Sequence, residues 1–511
     1  MLGNAYTSVI NGIDAVSVKV EADISAGFPC FDITGNLGVA VRESRERVRM
    51  AIKNSGIRIV PARMIVNISP ADLRKEGTHY DLAVAVAVLQ AAGIIRQNLC
   101  ENIMFIGELG LNGELRPVRG VLPMVINWCK GGRQMVVLPR ENAMEASYVK
   151  DAKIIPASTL NEVIECIKGN FTEVPFENAK PLQSTEYGMD FADIHGQLSL
   201  KRAIMVAAAS MHNMLMIGPP GGGKTMLAKC IPGKTMAAER IPAILPPMTY
   251  EQQLELSGIY SVAGMLKDGV SFVDKRCFRA PHHCITPQAM AGGGNGLMPG
   301  EVSLACHGVL FMDEFNLFST KTVEVLRQPM ESGHILIDRV NGKVEYPADF
   351  MLVAAMNPCK CGYYPDRNKC SCTPAQVRAY FGRLSRPLLD RIDVCVQVPR
   401  IKYEDMVYDG KDLYTNEYMR STVERVFNIQ KERFADKKYS LNSSIPAADV
   451  SRYCILDREA ENLMNSIYDS CDLSARGYHK LLKVARTIAD IDGSEYIMAE
   501  HICEASGYRM V

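Results

Sequence analysis

Over the first 172 residues, short β-branched runs alternate with stretches of helical periodicity. Segments 17–24 (SVKVEADI), 62–69 (ARMIVNIS) and 133–140 (RQMVVLPR) read as strands. Residues 41–56 (VRESRERVRMAIKNSG) read as an amphipathic helix whose apolar stripe is Val41, Val48 and Ile52, set among four arginines. Such a charged side is ordinarily a solvated face. Residues 173–189 are polar, carry two prolines and lack periodicity, so they read as an interdomain linker. From 190 to 400 strands again alternate with helices, the pattern of a parallel sheet covered by helices. Residues 401–511 are helical and charged, with no convincing strand. The expected fold class is α/β with an all-α C-terminal unit, in three domains: 1–172, 190–400 and 401–511.

Composition agrees with that division, since 511 residues correspond to roughly three domains of about 150 residues each. Formal net charge is zero, so contact with nucleic acid would need a local basic surface, for instance one created by assembly. The N-terminus lacks a basic-then-apolar leader pattern. The longest apolar stretch, 82–95, is broken by Gln90 and is too short to span a bilayer, so no membrane partner is expected. Sixteen cysteines without a secretory signal point to a reducing cytoplasm.

Chemistry concentrates in the middle of the chain. Residues 218–225 read GPPGGGKT, behind the apolar strand Met214-Leu215-Met216-Ile217 and ahead of a helical run. In a phosphate-binding loop of Gly218, Pro219, Pro220, Gly221, Gly222 and Gly223, the glycines would let backbone N–H groups wrap the phosphates of ATP. Lys224 would reach the β- and γ-phosphates, and the Thr225 hydroxyl would ligate Mg²⁺. The plain alternative is a glycine turn before a helix. A second apolar run, Val309 to Met312, ends in Asp313-Glu314, a pair suited to orienting Mg²⁺ and activating water. A third, Met351 to Met356, ends in Asn357, which could hold that water. Arg391 suits the γ-phosphate of a neighbouring subunit, or else forms a local ion pair with Asp390 or Asp393. Arg476 opens a C-terminal helix.

In this order the chain resembles the AAA+ ATPases: Walker A, Walker B, sensor 1, arginine finger, sensor 2. More closely it resembles the ComM/YifB family of magnesium-chelatase-like proteins, through PADLRKEGTHYDLAVA, GELGLNGELRPVRGVLP, FRAPHH, GVLFMDEF, NPCKCGYY, LLDRIDV and SARGYHKLLKVARTIADI. The resemblance implies Walker A roles for Lys224 and Thr225, a Walker B role for Asp313 and Glu314, and sensor 1 at Asn357. It also implies an arginine finger at Arg391, sensor 2 at Arg476, and an adenine contact around Ile194-His195-Gly196-Gln197. It further implies a homo-oligomeric, hexameric ring that acts on single-stranded or branched DNA. The rival is a motor of the magnesium-chelatase type that remodels a protein partner, and a third class is a nucleotide-gated binding module with little turnover.

GELGLNGELRPVRGVLPM and KEGTHYDLAVAVAV also resemble the C-terminal domain of Lon-type proteases, which has a ribosomal protein S5-like fold. The catalytic serine position falls at Asp81 and the lysine position at Leu122. Neither side chain can serve in an acyl-transfer dyad, so the N-terminal domain reads as a non-proteolytic scaffold. Cys359, Cys361, Cys370 and Cys372 lie within fourteen residues and suit a structural Zn²⁺, against the alternative of simple thiols. His282-His283 reads as a packing or polymer contact. Residues 334–350 read as two strands joined by Asn341-Gly342, with Arg339 and Lys343 flanking the tip, where they could face a pore or merely solvent. The glycine-rich stretch 291–300 could form another pore loop.

One oddity remains. Residues 223–232 (GKTMLAKCIP) are echoed by 233–242 (GKTMAAERIP), identical at seven of ten positions. The echo lacks upstream glycines, since Ala228 stands where the first glycine should be, so Lys224 is expected to bind phosphate alone. Pro232 should interrupt the helix. A loop or kink near 231–237, followed by a second helical piece, is the expected outcome.

Overall fold

The computed structural model describes residues 2–169, 189–194, 196–219, 234–266, 272–294, 296–339, 342–366, 368–399, 413–470 and 473–509. The N-terminal part is built on a seven-stranded sheet in the order Cys30–Thr34, Arg63–Ser69, Asp14–Ser25, Leu2–Asn11, Ile103–Phe105, Met135–Pro139, Lys153–Ala157. The three segments read as strands all lie in it, and the arginine-rich helix is Val39–Asn54, with Val41, Val48 and Ile52 buried as the stripe requires. The apolar stretch at 82–95 becomes the helix Asp81–Ala91, buried at every position. A helix that is apolar all round must lie inside the protein. Gly3 permits its close approach, because a Cβ there would meet the Ala87 carbonyl oxygen at 2.0 Å. Among the described residues no helix is long and apolar enough to cross a membrane.

The second sheet has five strands, all parallel, in the order Phe278–Arg279, Val309–Met312, Met351–Met356, Met214–Ile217, Val394–Gln397. Numbered along the chain this is 2-3-4-1-5. The first strand therefore lies between the fourth and fifth, and a crevice opens at its C-terminal end. Register brings the strand ends to one edge: Ile217 pairs with Met356 and Gln397, while Met312 pairs with Ala354. Asp313 and Glu314 follow that strand directly, in a turn.

The C-terminal helices, chiefly Asn416–Arg433, Arg458–Ser470, Ala475–Asp492 and Ala499–Gly507, share one continuous apolar core with a face of this sheet. Met419, Val423, Leu481 and Ala485 meet Met214, Met216, Val353 and Val394 in it. Ser474 caps the helix Ala475–Asp492 by accepting from the Gly477 N–H at 3.1 Å. The expectation that residues 401–511 are helical, without a strand, holds among the described residues. The expectation at 231–237 needs correction, because residues 234–239 form a helix and only 231–233 lie outside the described residues. The second helical piece, Ile241–Ile244, is present. The linker lies outside the described residues except for Met189.

Candidate nucleotide site

Gly218 follows the first strand, and a Cβ there would meet the Val398 carbonyl oxygen at 2.5 Å. Glycine is therefore what lets the fifth strand close against the first. Of the expected phosphate loop, Gly218 and Pro219 are described. Pro220, Gly221, Gly222, Gly223, Lys224 and Thr225 lie outside the described residues.

At the edge of the sheet stand side chains of the second copy. The Lys234 ammonium donates to the carbonyl oxygens of Gly218 (2.9 Å) and Met356 (2.8 Å) and to Asn357 Oδ1 (3.2 Å). Burial draws its pKa down to about 8, against the upward pull of Asp313 and Glu314. The Thr235 hydroxyl donates to Asp313 Oδ2 at 3.0 Å. One lysine, one hydroxyl, the Asp313 carboxylate and the Asn357 amide thus converge where three parallel strands end. Sequence reasoning set Lys234 and Thr235 aside; their proximity to Asp313 and Asn357 comes from chain segments 78 to 123 residues apart.

Glu314 adopts a left-handed backbone conformation, φ 51°, which non-glycine residues rarely take. Its N–H donates to Asp313 Oδ1 at 2.8 Å, and its carboxylate lies 3.4 Å from His283 Nδ1. The FRAPHH segment thereby reaches the acidic pair, a contact that its sequence did not signal.

Gln197 also has a left-handed backbone, φ 55°. Its amide donates to the Pro399 carbonyl at 2.8 Å, whereas its buried Oε1 has no partner among the described residues. An unpaired buried acceptor is costly unless a ligand donor meets it, and the amino group of adenine would do so. His195 lies outside the described residues.

Arg391 pairs with neither Asp390 nor Asp393. Its guanidinium meets Glu331 and the Pro387 carbonyl, and only 10% of the side chain is exposed. Arg476, 63% exposed, lies 3.3 Å from the same Glu331 carboxylate. One acidic residue thus engages both the candidate arginine finger and the candidate sensor 2 arginine.

The four cysteines come together as their spacing suggested, with all four sulfurs within 4.8 Å of one another. Cys359 Sγ lies 3.2 Å from Cys361 Sγ and 3.8 Å from Cys370 Sγ, and Cys361 and Cys370 are 3.6 Å apart. A tetrahedral zinc with Zn–S near 2.3 Å would set its sulfurs about 3.8 Å apart. The Tyr363 N–H and the Cys359 thiol hold Cys361 down to about 6, whereas burial pushes Cys370 up to about 11.

The hairpin is present as His334–Arg339 and Gly342–Pro347, with its tip and the Arg339 side chain outside the described residues. Ile335, Ile337, Val344 and Tyr346 face the core, while Lys343 is exposed. Within the glycine-rich stretch, Gly292–Gly293 pairs with Met298–Pro299, and the Tyr346 hydroxyl donates to the Leu297 carbonyl at 2.8 Å. The two candidate pore elements are therefore one packed unit.

Family models match along the chain: subunit ChlI of Mg-chelatase at 20–142, magnesium chelatase subunit ChlI at 190–233 and 231–406, and the C-terminal region of that subunit at 414–509. The two central matches overlap at 231–233, where the first copy ends and the echo begins. Competence protein ComM of Haemophilus influenzae is 37% identical over 515 residues, covering 99% of this chain and 97% of that protein. YifB of Escherichia coli is 36% identical over 512 residues, covering 100% and 97%. The magnesium-chelatase 38 kDa subunit of Chlorobaculum parvum is 23% identical over 338 residues, 62% of this chain and 88% of that subunit.

Proposed function

The chain belongs to the magnesium-chelatase-like ComM/YifB family, and on that premise we propose that it is an ATP-hydrolysing AAA+ ring motor acting on DNA. The observation that carries the reading is the convergence of a lysine, a threonine hydroxyl, Asp313, Glu314 and Asn357 at one edge of the parallel sheet. The residues fit magnesium: the Thr235 and Asp313 oxygens are 3.0 Å apart, and an octahedral ion with bonds near 2.1 Å spans an edge of about 3.0 Å. Bound Mg²⁺ supplies charge neutralisation at the phosphate oxygens during transfer.

Each residue then has a task. Lysine and threonine of a G-K-T triplet would hold phosphate and metal, and the Asp313 carboxylate would orient that metal beside the threonine hydroxyl. Glu314 takes the proton from the attacking water, which Asn357 orients. Gln197 offers its free oxygen to the adenine amino group. Arg391 swings from Glu331 to the γ-phosphate of an adjoining subunit, and Arg476 reads the nucleotide within its own. Cys359, Cys361, Cys370 and Cys372 hold a structural Zn²⁺ directly after Asn357.

The DNA reading rests on the hairpin and its glycine-rich buttress. Repeated around a hexameric ring, Lys343 and Arg339 concentrate positive charge about a strand although the chain is neutral overall. The activity is ComM-like branch migration or helicase action during DNA uptake or recombination, in a reducing cytoplasm. The N-terminal part is a Lon-like scaffold without protease chemistry. Asp81, at the serine position, is buried and bonded to Ser44 (2.5 Å), Arg47 (2.7 Å) and the Leu109 N–H (3.3 Å), and Leu122 is fully buried.

The test is the ATPase rate of the full-length protein alone, with single-stranded DNA and with forked DNA. Stimulation by DNA supports the reading. Strong turnover indifferent to DNA favours a chelatase-type motor that remodels a protein, and ATP binding with negligible turnover favours a nucleotide-gated module.

A further inference from the structure

The chain carries two G-K-T triplets, and the tertiary contacts distinguish between them. The helices Lys234–Glu239 and Ile241–Ile244 insert Ala237, Ala238, Ile241 and Ile244 into the core shared by the central sheet and the C-terminal helices. In the first copy, position 237 corresponds to Leu227 and position 240 to Cys230. Ala237 is 1% exposed, so a leucine there would overpack the core. Arg240 is 4% exposed and donates to the Asp190 carbonyl (2.7 Å) and the Met236 carbonyl (2.9 Å), and it reaches Asp193 at 3.4 Å. A cysteine could make none of these bonds. Packing therefore selects the second copy for this stretch of helix, and the same helix carries Lys234 to Asn357 and Thr235 to Asp313. The two family matches, 190–233 and 231–406, meet at the junction of the copies, one holding Lys224 and the other Lys234.

We propose that Lys234 and Thr235, not Lys224 and Thr225, are the phosphate-binding lysine and the magnesium-side hydroxyl of this protein. The proposal rests on the ATPase reading above. It reverses what the motif implies, because residues 224–233 stand in sequence between the last glycine of the motif, Gly223, and Lys234. The cation that meets the phosphates comes from the echo.

The test begins with the unmutated full-length protein. Lysines are acylated with an amine-reactive ester, with and without Mg·ATP, and labelling is quantified peptide by peptide. Protection of Lys234 with unchanged labelling of Lys224 is expected; protection of Lys224 with Lys234 unchanged would overturn the assignment. The substitutions Lys224→Ala and Lys234→Ala are then compared for binding of a fluorescent ATP analogue, with circular dichroism to check folding. Lys234→Ala should weaken binding at least tenfold, and Lys224→Ala should leave it within about twofold. Equal losses, or the reverse order, refute the assignment. Absence of ATP binding by the wild-type protein would instead remove the ATPase reading itself.

Discussion

Thr235 and Asp313 meet hydroxyl to carboxylate at 3.0 Å, although 78 residues separate them along the chain. One belongs to the echo behind a phosphate-loop motif, and the other ends a fully buried strand. Their contact gives the site two oxygens at metal-ligating separation, and Glu314 follows immediately on the same strand end.

That adjacency makes Glu314 the residue whose loss should separate binding from chemistry. Glu314→Gln keeps the size of the side chain and removes its basicity. Hydrolysis should fall by about 10²–10⁴-fold while ATP binding persists. Retained turnover in a phosphate-release assay would remove Glu314 from the role of base.

Arg391 is held by Glu331 within its own chain, so a role at a neighbour's nucleotide requires it to leave that partner. Arg391→Ala should lower turnover by about 10³-fold or more with ATP affinity nearly unchanged. Mixing Arg391→Ala subunits with Glu314→Gln subunits should restore part of the activity, because some interfaces then combine an intact Glu314 with an intact Arg391. Failure to complement would argue that the arginine acts only in its own subunit.

The sulfur separations at Cys359, Cys361, Cys370 and Cys372 predict one zinc per chain in protein purified without chelator. Cys361→Ser combined with Cys370→Ser should abolish the metal signal in elemental analysis. Metal-free wild-type protein would identify the cluster as plain thiols.

His79 carries a pH dependence that can be assigned to one residue. It is buried, bonded through Nε2 to the Ser8 carbonyl, and burial lowers its pKa from 6.5 to about 4. The ring is neutral in the folded chain, and the unfolded chain binds its proton more readily. Its contribution is therefore fully present above about pH 6.5 and is lost as the pH falls towards 4. Between pH 7 and pH 5 the loss should be about 2 kcal/mol. Urea unfolding, followed by the fluorescence of the single, buried Trp128, should show wild type losing about that much more than His79→Gln over this range. Equal losses in the two proteins would show that other groups dominate.

Much of the fold was legible because periodicity reports burial directly. The strands ending at Ile217, Met312 and Met356 were plain in their composition, whereas the apolar stretch 82–95 reads only as too short to span a bilayer, and the structure makes most of it a buried helix. Asp313, Glu314 and Asn357 were legible for the same reason, since each follows a buried strand of known direction. Cysteine spacing likewise anticipated the cluster. The partner of Arg391 was not legible: the nearest acids in sequence, Asp390 and Asp393, are not the ones it meets, and Glu331 lies 60 residues away. His283 was set apart from the acidic pair, yet it lies 3.4 Å from Glu314.

The sequence by itself determined that a phosphate-loop motif, an acidic strand end and a polar strand end occur in the order an ATPase needs, because those properties reside in short contiguous segments. From glycine content alone it assigned the phosphate to Lys224, because Ala228 stands where the echo would need its first glycine. What speaks for Lys234 is tertiary: Ala237 is buried in the shared core, and the carbonyls of Asp190 and Met236 accept from Arg240. Those contacts join distant parts of the chain, and their energies arise only once the core has closed.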